Sequence, residues 1–324
     1  MKSSNIGGQA VLEGIMMKNK DRYAVAVRKP DKTIALQVET YHSIVPWTAL
    51  TRIPFVRGIF NFIDSMVLGM KTLTYSASFF EDEEEETQES GDKKTEKKAI
   101  TEEEQAAKSK KEERVENIVM GLTIAFSFVM ALLLFTVLPS FVAGLLKNQI
   151  HTYTQRAIVE GLLKVVVFVG YLLLISRMKD IQRVFMYHGA EHKCINCIEH
   201  GLPLNVENVR KSSRQHKRCG TSFLLFVLII SIIVGIFIRV DIVWLRVLIR
   251  IALLPLVSGI SYEIIKLAGN SDNPVISLLS QPGLMVQKLT TREPQDDMIE
   301  VAIEAVEAVF DWETYEAENF GEEK

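Results

Sequence analysis

Apolar residues in this chain gather in long blocks, which are separated by strongly polar segments. A helix needs about 20 apolar residues to cross the hydrocarbon core of a bilayer. Four blocks have about that length, and they predict four transmembrane helices. The blocks cover residues 118–138 (closed by Pro139), 157–176, 221–238 and 243–268. The pattern therefore predicts an α-helical integral membrane protein with a membrane domain over residues 117–270.

The distribution of basic residues predicts the orientation of these helices. The loop over residues 177–218 contains nine Lys or Arg, whereas the loop between the first two blocks contains only Lys147 and Arg156. Basic loops remain on the cytoplasmic side of a membrane. With four crossings, the N- and C-terminal segments would both be cytoplasmic too. We therefore expect a multi-pass protein of the cell inner (plasma) membrane.

The first 80 residues predict a β-meander followed by an apolar helix. Apolar and polar residues alternate in three segments, as in half-buried strands. These segments are residues 9–17, 22–29 and 33–40. Residues 54–80 are strongly apolar, and their charges at Arg57, Asp64 and Lys71 are spaced by seven, so they fall near one stripe of a helix. We expect this helix to lie in the membrane interface or against the bundle, with a fifth span as the alternative.

Two polar segments flank the predicted membrane domain. Residues 81–116 are rich in Glu, Lys, Ser, Thr and Gln, and they predict a disordered linker because they offer little apolar surface to bury. The acidic run at 81–86 favours a solvated tether, with a cation or a basic partner as the alternative. Residues 271–324 form a cytoplasmic segment, in which 281–283 predict a turn and 296–310 predict a short helix.

Composition and charge narrow the classes of function. The chain has 324 residues, of which 48% are hydrophobic and 24% charged, and its net charge is −3. This charge gives no field that would attract nucleic acid. Cys194, Cys197 and Cys219 are too few and too clustered for a secreted disulfide framework. We interpret Cys194 and Cys197 as two free thiols, with a metal or redox pair as the alternative.

The segment after the second block carries a pattern of metal-binding side chains. His188 and His192 are four residues apart, so on a helix both imidazoles project from one face and can bind one metal ion. Glu191 lies on the same side of that helix. This is the H-x-x-E-H spacing of inverted zinc peptidases, in which the glutamate is the general base. The pattern predicts His188 and His192 as metal ligands and Glu191 as a catalytic residue.

Further candidate ligands lie at the same predicted depth in the membrane. His216 and Cys219 precede the third block, and Glu263 lies in the inner part of the fourth. An ionisable residue within a span is costly and indicates function or a buried partner. We favour His216 as the third ligand, with Cys219 and Glu263 as alternatives. The expected cofactor is a divalent metal ion, zinc by its ligand types, with iron and manganese as alternatives. The ordinary interpretation is that such side chains solvate the headgroup region.

Four further charged residues lie within the predicted spans, toward their outer side. They are Glu160 and Lys164 in the second block and Arg246 and Arg250 in the fourth. Charges inside a membrane pair with one another, so this group predicts ion pairs that hold the second helix to the fourth. A transport path is the alternative interpretation.

Several motifs resemble the bacterial YqhQ-type family over nearly the whole chain. The residues that carry the resemblance are 7–17, 187–193, 218–223, 282–284, Gln287 and 289–291. This family is a domain of unknown function that is often labelled a predicted metal-dependent enzyme, so the resemblance implies a metal site without a substrate. The family pattern His-Pro-Arg-Cys-Gly has Lys217 in place of proline here, which changes no ligand. Gly7, Gly8 and Gly14 would let a glycine-lined loop approach the site, and Glu13 would reach it.

These observations predict a metal-dependent membrane enzyme, a hydrolase that acts at the cytoplasmic membrane face. Its substrate would be a lipid, a lipid-linked intermediate or a membrane protein, and a homo-oligomer is compatible with the sequence. The alternative is a non-enzymatic membrane adaptor or assembly factor, with a structural metal site or none. The basic loop, the meander and the C-terminal helix would all suit the binding of a partner.

Overall fold

A computed structural model describes residues 2–43, 53–89, 118–119, 121–146, 148–240, 242–269, 271 and 273–321 of the chain. The described residues form a small sheet and ten helices. The strands are β1 (Gly7–Val11), β2 (Gly14–Asn19), β3 (Arg22–Arg28) and β4 (Ile34–Thr40). The helices are α1 (Val56–Glu89), α2 (Gly121–Leu145), α3 (Tyr153–Ile175), α4 (Lys179–Glu199), α5 (Val206–Lys211), α6 (Gly220–Ile236), α7 (Val243–Gly269), α8 (Pro274–Thr290), α9 (Asp296–Glu307) and α10 (Trp312–Phe320).

The predicted N-terminal meander is confirmed as a four-stranded antiparallel sheet in the order β1-β2-β3-β4. The prediction of one strand over residues 9–17 is wrong, because the chain reverses between Val11 and Gly14, which pair with each other. Glu13 in this two-residue connection has a positive φ of 49°. Tight hairpin connections need such left-handed residues, and the apolar-polar alternation continues through the turn and hides it.

Three helices in the described part of the chain are long and apolar enough to cross a membrane, namely α2, α3 and α7. The predicted third span corresponds to α6, an apolar helix of 17 residues. The prediction of four spans is therefore supported for three helices, and α6 is at the lower limit of the length that a span needs.

The predicted end of the first span at Pro139 is wrong, since α2 continues to Leu145. Proline lacks an N–H group and clashes with the preceding helical turn. Residues Leu133–Val137 form a wider π-helical turn before the proline, and the Leu138 N–H donates to the carbonyl of Leu133. This wider turn accommodates Pro139 without ending the helix.

Helix α1 packs against α7 and β1. Gly58 allows the two helices to approach closely, because a β-carbon there would lie 2.6 Å from Cβ of Tyr262. The Asn61 side chain donates to the Tyr262 hydroxyl at 2.7 Å. Helix α1 also includes residues 81–89, which were predicted as linker, whereas residues 90–116 of that linker lie outside the described residues.

The sheet, α4 and α9 share one hydrophobic core. Its fully buried side chains include Ile15 and Met17 of β2, Ile195 of α4, and Met298 and Ile299 of α9. Burial of such a side chain contributes about 1.5–3 kcal/mol. The predicted C-terminal helix is thus present as α9, and it is a central part of this core. We call the sheet with α4, α5 and α9 the α/β body.

The predicted turn at residues 281–283 is wrong, because these residues lie inside α8 with Pro282 in the helix. Gly283 faces α6, and a β-carbon there would lie 2.7 Å from Oγ of Ser222. Gly283 therefore allows α6 and α8 to pack closely.

The predicted ion pairs between the second and fourth blocks are confirmed for Glu160. Its carboxylate is fully buried and binds Arg246 of α7 at 2.6 Å and Arg250 one turn further along. These contacts join α3 to α7. Lys164 is also buried in this part of the bundle.

Candidate metal centre

Helix α4 presents His188 and His192 on one face, as their spacing predicts. Their ring centroids are 4.4 Å apart. From Tyr187 onward α4 is almost entirely buried, and the His192 side chain is 1% exposed. The helix therefore holds both imidazoles in a fixed position between the rest of the α/β body and the helical bundle.

Cys219 completes a group of three metal-type ligands with these histidines. It is the N-cap residue of α6, and its Sγ atom lies 3.2 Å from Nε2 of His188. The ligand atoms of all three residues lie within 4.8 Å of one another. In a tetrahedral zinc site a thiolate sulfur and an imidazole nitrogen are about 3.5 Å apart. The group therefore has the size that a single metal ion requires.

Both histidines have their other ring nitrogen bound to a backbone carbonyl. His188 Nδ1 lies 2.8 Å from the carbonyl oxygen of Thr290, and His192 Nδ1 lies 2.7 Å from that of Arg214. A carbonyl only accepts hydrogen bonds, so Nδ1 carries a proton in each ring and Nε2 is the nitrogen that a metal ion would bind. Metal-binding histidines are oriented in this way in most metal sites.

The ionisation of Cys219 is coupled to the two histidines. Burial alone would raise the pKa of the Cys219 thiol, but His188 and His192 hold this pKa well below its usual value. Burial would lower the pKa of His188, whereas the Cys219 thiolate and Glu191 outweigh it and raise this pKa to about 9. The thiolate is the form of cysteine that binds metal ions.

Glu191 lies at the edge of the group, with its carboxylate oxygen 3.9 Å from Nε2 of His188. Its residue exposure is 5%. Gly8 of β1 packs directly on it, and a β-carbon at Gly8 would lie 2.6 Å from Cγ of Glu191. The expected close approach of the N-terminal glycines is thus observed at Gly8. Glu13, which was expected at the site, instead binds Arg183.

His216, the favoured third ligand, lies beside the group but outside it. Its ring centroid is 5.8 Å from that of His192, and its Nε2 lies 3.3 Å from the carboxylate of Glu199. Glu199 is fully buried and also binds Arg218. The structure therefore brings Cys219, and not His216, to the two histidines, because the His216 ring is already paired with Glu199.

The structure also places Glu263 outside the group. Its carboxylate accepts a hydrogen bond of 2.7 Å from Nε of Arg57 and one of 3.2 Å from the backbone N–H of Phe55. The prediction that Glu263 is a ligand is therefore not supported. The Glu263 carboxylate pairs with the Arg57 guanidinium where α1 packs against α7. The spacing of residues along the sequence did not reveal this contact.

Three further groups, which the sequence analysis did not assign, orient the site. The carbonyls of Thr290 and Arg214 hold the histidine rings, and backbone groups carry no sequence signal. The Gln287 side chain is fully buried and bonds to both the N–H and the carbonyl of His216, at 2.8 and 2.7 Å. In the sequence, Gln287 stood out only as one of the residues that carry the family resemblance.

Close packing at Gly189 brings the end of α8 to this site. A β-carbon at Gly189 would overlap the carbonyl oxygen of Arg292. The Arg292 N–H donates to the carbonyl of Phe185 at 2.8 Å. Glycine at this position therefore allows the chain after α8 to cross α4 and to present the Thr290 carbonyl to His188.

Cys194 and Cys197 are free and buried. Burial raises the pKa of Cys197 to about 11 and that of Cys194 well above its usual value. Both thiols are therefore protonated, in contrast to Cys219.

The fold and this group of residues define a mostly helical protein with candidate membrane spans and a buried His-His-Cys cluster. The chain belongs to the family described as protein of unknown function (DUF1385), which matches residues 53–312. It is similar to the uncharacterized protein YqhQ of Bacillus subtilis (strain 168), with 37% identity over 318 residues that cover 97% of this chain and 94% of that protein. No solved structure matches the chain. The family resemblance seen in the sequence motifs is therefore confirmed.

Proposed function

We propose that this protein is a metal-dependent hydrolase of the membrane surface, with His188, His192 and Cys219 as the ligands of a divalent metal ion, zinc by their chemistry. The observation that carries the proposal is the convergence of three ligand atoms within 4.8 Å, in which both Nδ1 atoms are bound by carbonyls. Two imidazoles and a thiolate are a donor set that zinc prefers.

The arrangement has the parts that hydrolysis requires. Three protein ligands leave one tetrahedral position open, as in catalytic zinc sites. A metal ion held there would polarise a substrate carbonyl or phosphoryl oxygen. Glu191 is close enough to take a proton from the attacking nucleophile and to return it to the leaving group, which is the role of a general acid-base residue. Its burial keeps the carboxylate in a low-dielectric position, where such groups are most effective.

A structural metal site is the second candidate, and the position of Glu191 favours it. The Glu191 carboxylate is 3.9 Å from Nε2 of His188, so a small rotation would make it a fourth ligand. Four protein ligands close a zinc site to substrate. The protein would then be a membrane adaptor or assembly factor whose α/β body is stabilised by metal.

Metal analysis of the purified full-length protein separates these functions. We expect one metal ion per chain, lost in the His188→Ala, His192→Ala and Cys219→Ser variants. His200→Ala is the matched control, because His200 is at the end of the same helix and its ring bonds to the Asn196 carbonyl of its own turn. Retention of metal in Glu191→Gln supports the hydrolase, and its loss there supports the structural site. Wild-type protein without metal would refute both.

We also propose that the α/β body is cytoplasmic and that α2, α3, α6 and α7 cross the inner membrane. The sheet, α4 and α9 share one core, so all three must be on one side of the membrane. The chain must therefore cross the membrane an even number of times between the sheet and α4, and again between α4 and α9. Between the sheet and α4, helices α2 and α3 supply two crossings, so α1 does not cross. Between α4 and α9, helices α6 and α7 supply two more.

Site-specific labelling tests this topology. Gln149 is exposed in the loop between α2 and α3, and Lys179 is exposed at the start of α4. A membrane-impermeant maleimide on intact cells should label Gln149→Cys and not Lys179→Cys. The reverse pattern would show that the body is on the outer side, and labelling of both would contradict the crossing scheme.

A further inference from the structure

A cavity of about 430 Å³ lies where the C-terminal ends of α3 and α8 meet α4. Arg214, Lys288 and Arg292 supply three cationic side chains to its lining, and Ser176 and Thr291 add polar groups. We call this cavity the basic pocket. Its volume is within the range of ligand-binding pockets in proteins.

Positive charge exceeds negative charge in the basic pocket. The single carboxylate of its lining belongs to Glu293, which is 67% exposed and is bound by Lys193 at 2.9 Å. Arg214 is further from this carboxylate, at 3.7 Å. Within the part of the chain that the structure describes, Lys288 and Arg292 make no ion pair. The pocket therefore holds cationic groups whose charge its own residues do not balance.

The two guanidinium groups are held in place by carbonyl oxygens. Arg292 Nη2 donates to the carbonyl of Ser176 at 2.9 Å, and Arg214 Nη1 donates to that of Thr291 at 3.4 Å. A guanidinium has five N–H donors in a planar fork that matches the oxygens of a phosphate. Each of these arginines therefore keeps several donors for a ligand.

The basic pocket is placed at the boundary between apolar and polar surface. Ser176 follows the last residue of α3, a candidate span. Helix α8 has an exposed apolar surface that includes Leu278, at 71%, and Met285, at 61%. Lys288 is one helical turn beyond Met285. Basic residues immediately next to a lipid-facing apolar surface are typical of sites for anionic lipid headgroups.

We propose that the basic pocket binds the phosphate group of an anionic membrane lipid, with Arg214, Lys288 and Arg292 as its cationic ligands. Met186 and Leu289, which also line the pocket, would contact the apolar part of the lipid next to its headgroup. The proposal requires no metal in the neighbouring centre, so its outcome is independent of the hydrolase proposal.

The test is lipid binding by the full-length protein in non-ionic detergent, measured by native mass spectrometry. The ligands are phosphatidylglycerol, phosphatidylcholine and inorganic phosphate. The variant is Lys288→Gln/Arg292→Gln, which leaves Arg214 intact because its backbone also orients His192. The control is Arg177→Gln/Lys179→Gln, since these two cations are exposed near the same end of α3 and do not line the pocket.

A basic group near a membrane surface changes lipid affinity by roughly fivefold, so we expect the pocket variant to weaken phosphatidylglycerol binding by about 30-fold. The control variant should bind as the wild type does, and phosphatidylcholine should bind weakly to all. Competition by millimolar inorganic phosphate would identify the phosphate group itself as the ligand, whereas its failure to compete would identify an intact lipid headgroup.

Equal weakening in the pocket variant and the control would overturn the proposal, because it would indicate diffuse electrostatic attraction. Unchanged binding in the pocket variant would also overturn it. Lys288→Gln alone serves as a second variant, since Lys288 is exposed and its replacement leaves the packing intact. It should weaken binding by about fivefold.

Discussion

Replacement of Gln287 by methionine should destabilise the protein strongly, although the side-chain volume hardly changes. Gln287 is fully buried, and it accepts from the His216 N–H and donates to the His216 carbonyl and to Oγ of Ser222. Methionine offers none of these bonds, so two backbone groups of His216 would be buried without partners. Each such group costs about 1–3 kcal/mol, which predicts a loss of about 2–6 kcal/mol for the two groups.

The same change should weaken the metal centre. His216 is three residues before Cys219, and Gln287 fixes the backbone that leads to this ligand. Loss of a group that orients a ligand typically lowers metal affinity by about 10- to 100-fold. The affinity is measured by competition with a chromophoric chelator, and the stability by denaturant unfolding in detergent, monitored by intrinsic fluorescence.

Ser222→Ala is the matched control for Gln287→Met. It removes one hydrogen bond of the same glutamine and leaves both bonds to His216, so it should cost only about 0.5–1.5 kcal/mol and preserve metal affinity. If Gln287→Met were no more destabilising than Ser222→Ala, the backbone of His216 would not depend on the glutamine, and this reasoning would be wrong.

Three other changes test the remaining features of the site. Gly189→Ala should lower stability and metal affinity together, because its β-carbon would overlap the Arg292 carbonyl. Thermal unfolding measures the stability, and metal analysis measures the metal content. Wild-type values of both would contradict this packing argument. Burial would raise the pKa of Glu199, but His216, Arg218 and the backbone N–H of Ser4 lower it from 4.5 to about 2. This depressed pKa contributes stability that is present above pH 4.5 and is lost as the pH falls toward 2, and Glu199→Gln should remove this dependence in unfolding measurements. Glu263→Gln should keep the full metal content, and loss of metal would return Glu263 to the ligand set.

Local patterns in the sequence determined much of the architecture. The alternating segments predicted the sheet, and the long apolar blocks predicted the helices. The spacing of His188 and His192 placed both on one helix face, because helical geometry is the same wherever four residues separate two side chains. The motifs also identified the family. The hairpin at Glu13 and the passage of α2 through Pro139 were missed, since a turn or a π-helical segment depends on a few dihedral angles that apolar periodicity does not report.

Only the tertiary structure decided which residues meet at the site. The sequence favoured His216 as the third ligand and offered Cys219 and Glu263 as alternatives near the same depth. Packing pairs His216 with Glu199 and Glu263 with a cation of α1, and it leaves Cys219 to the two histidines. The contacts of the histidine rings with backbone carbonyls also join segments that are distant in the sequence. The same is true of the core that the sheet shares with α4 and α9. Such contacts arise from the packing of whole elements, so residue spacing along the chain does not specify them.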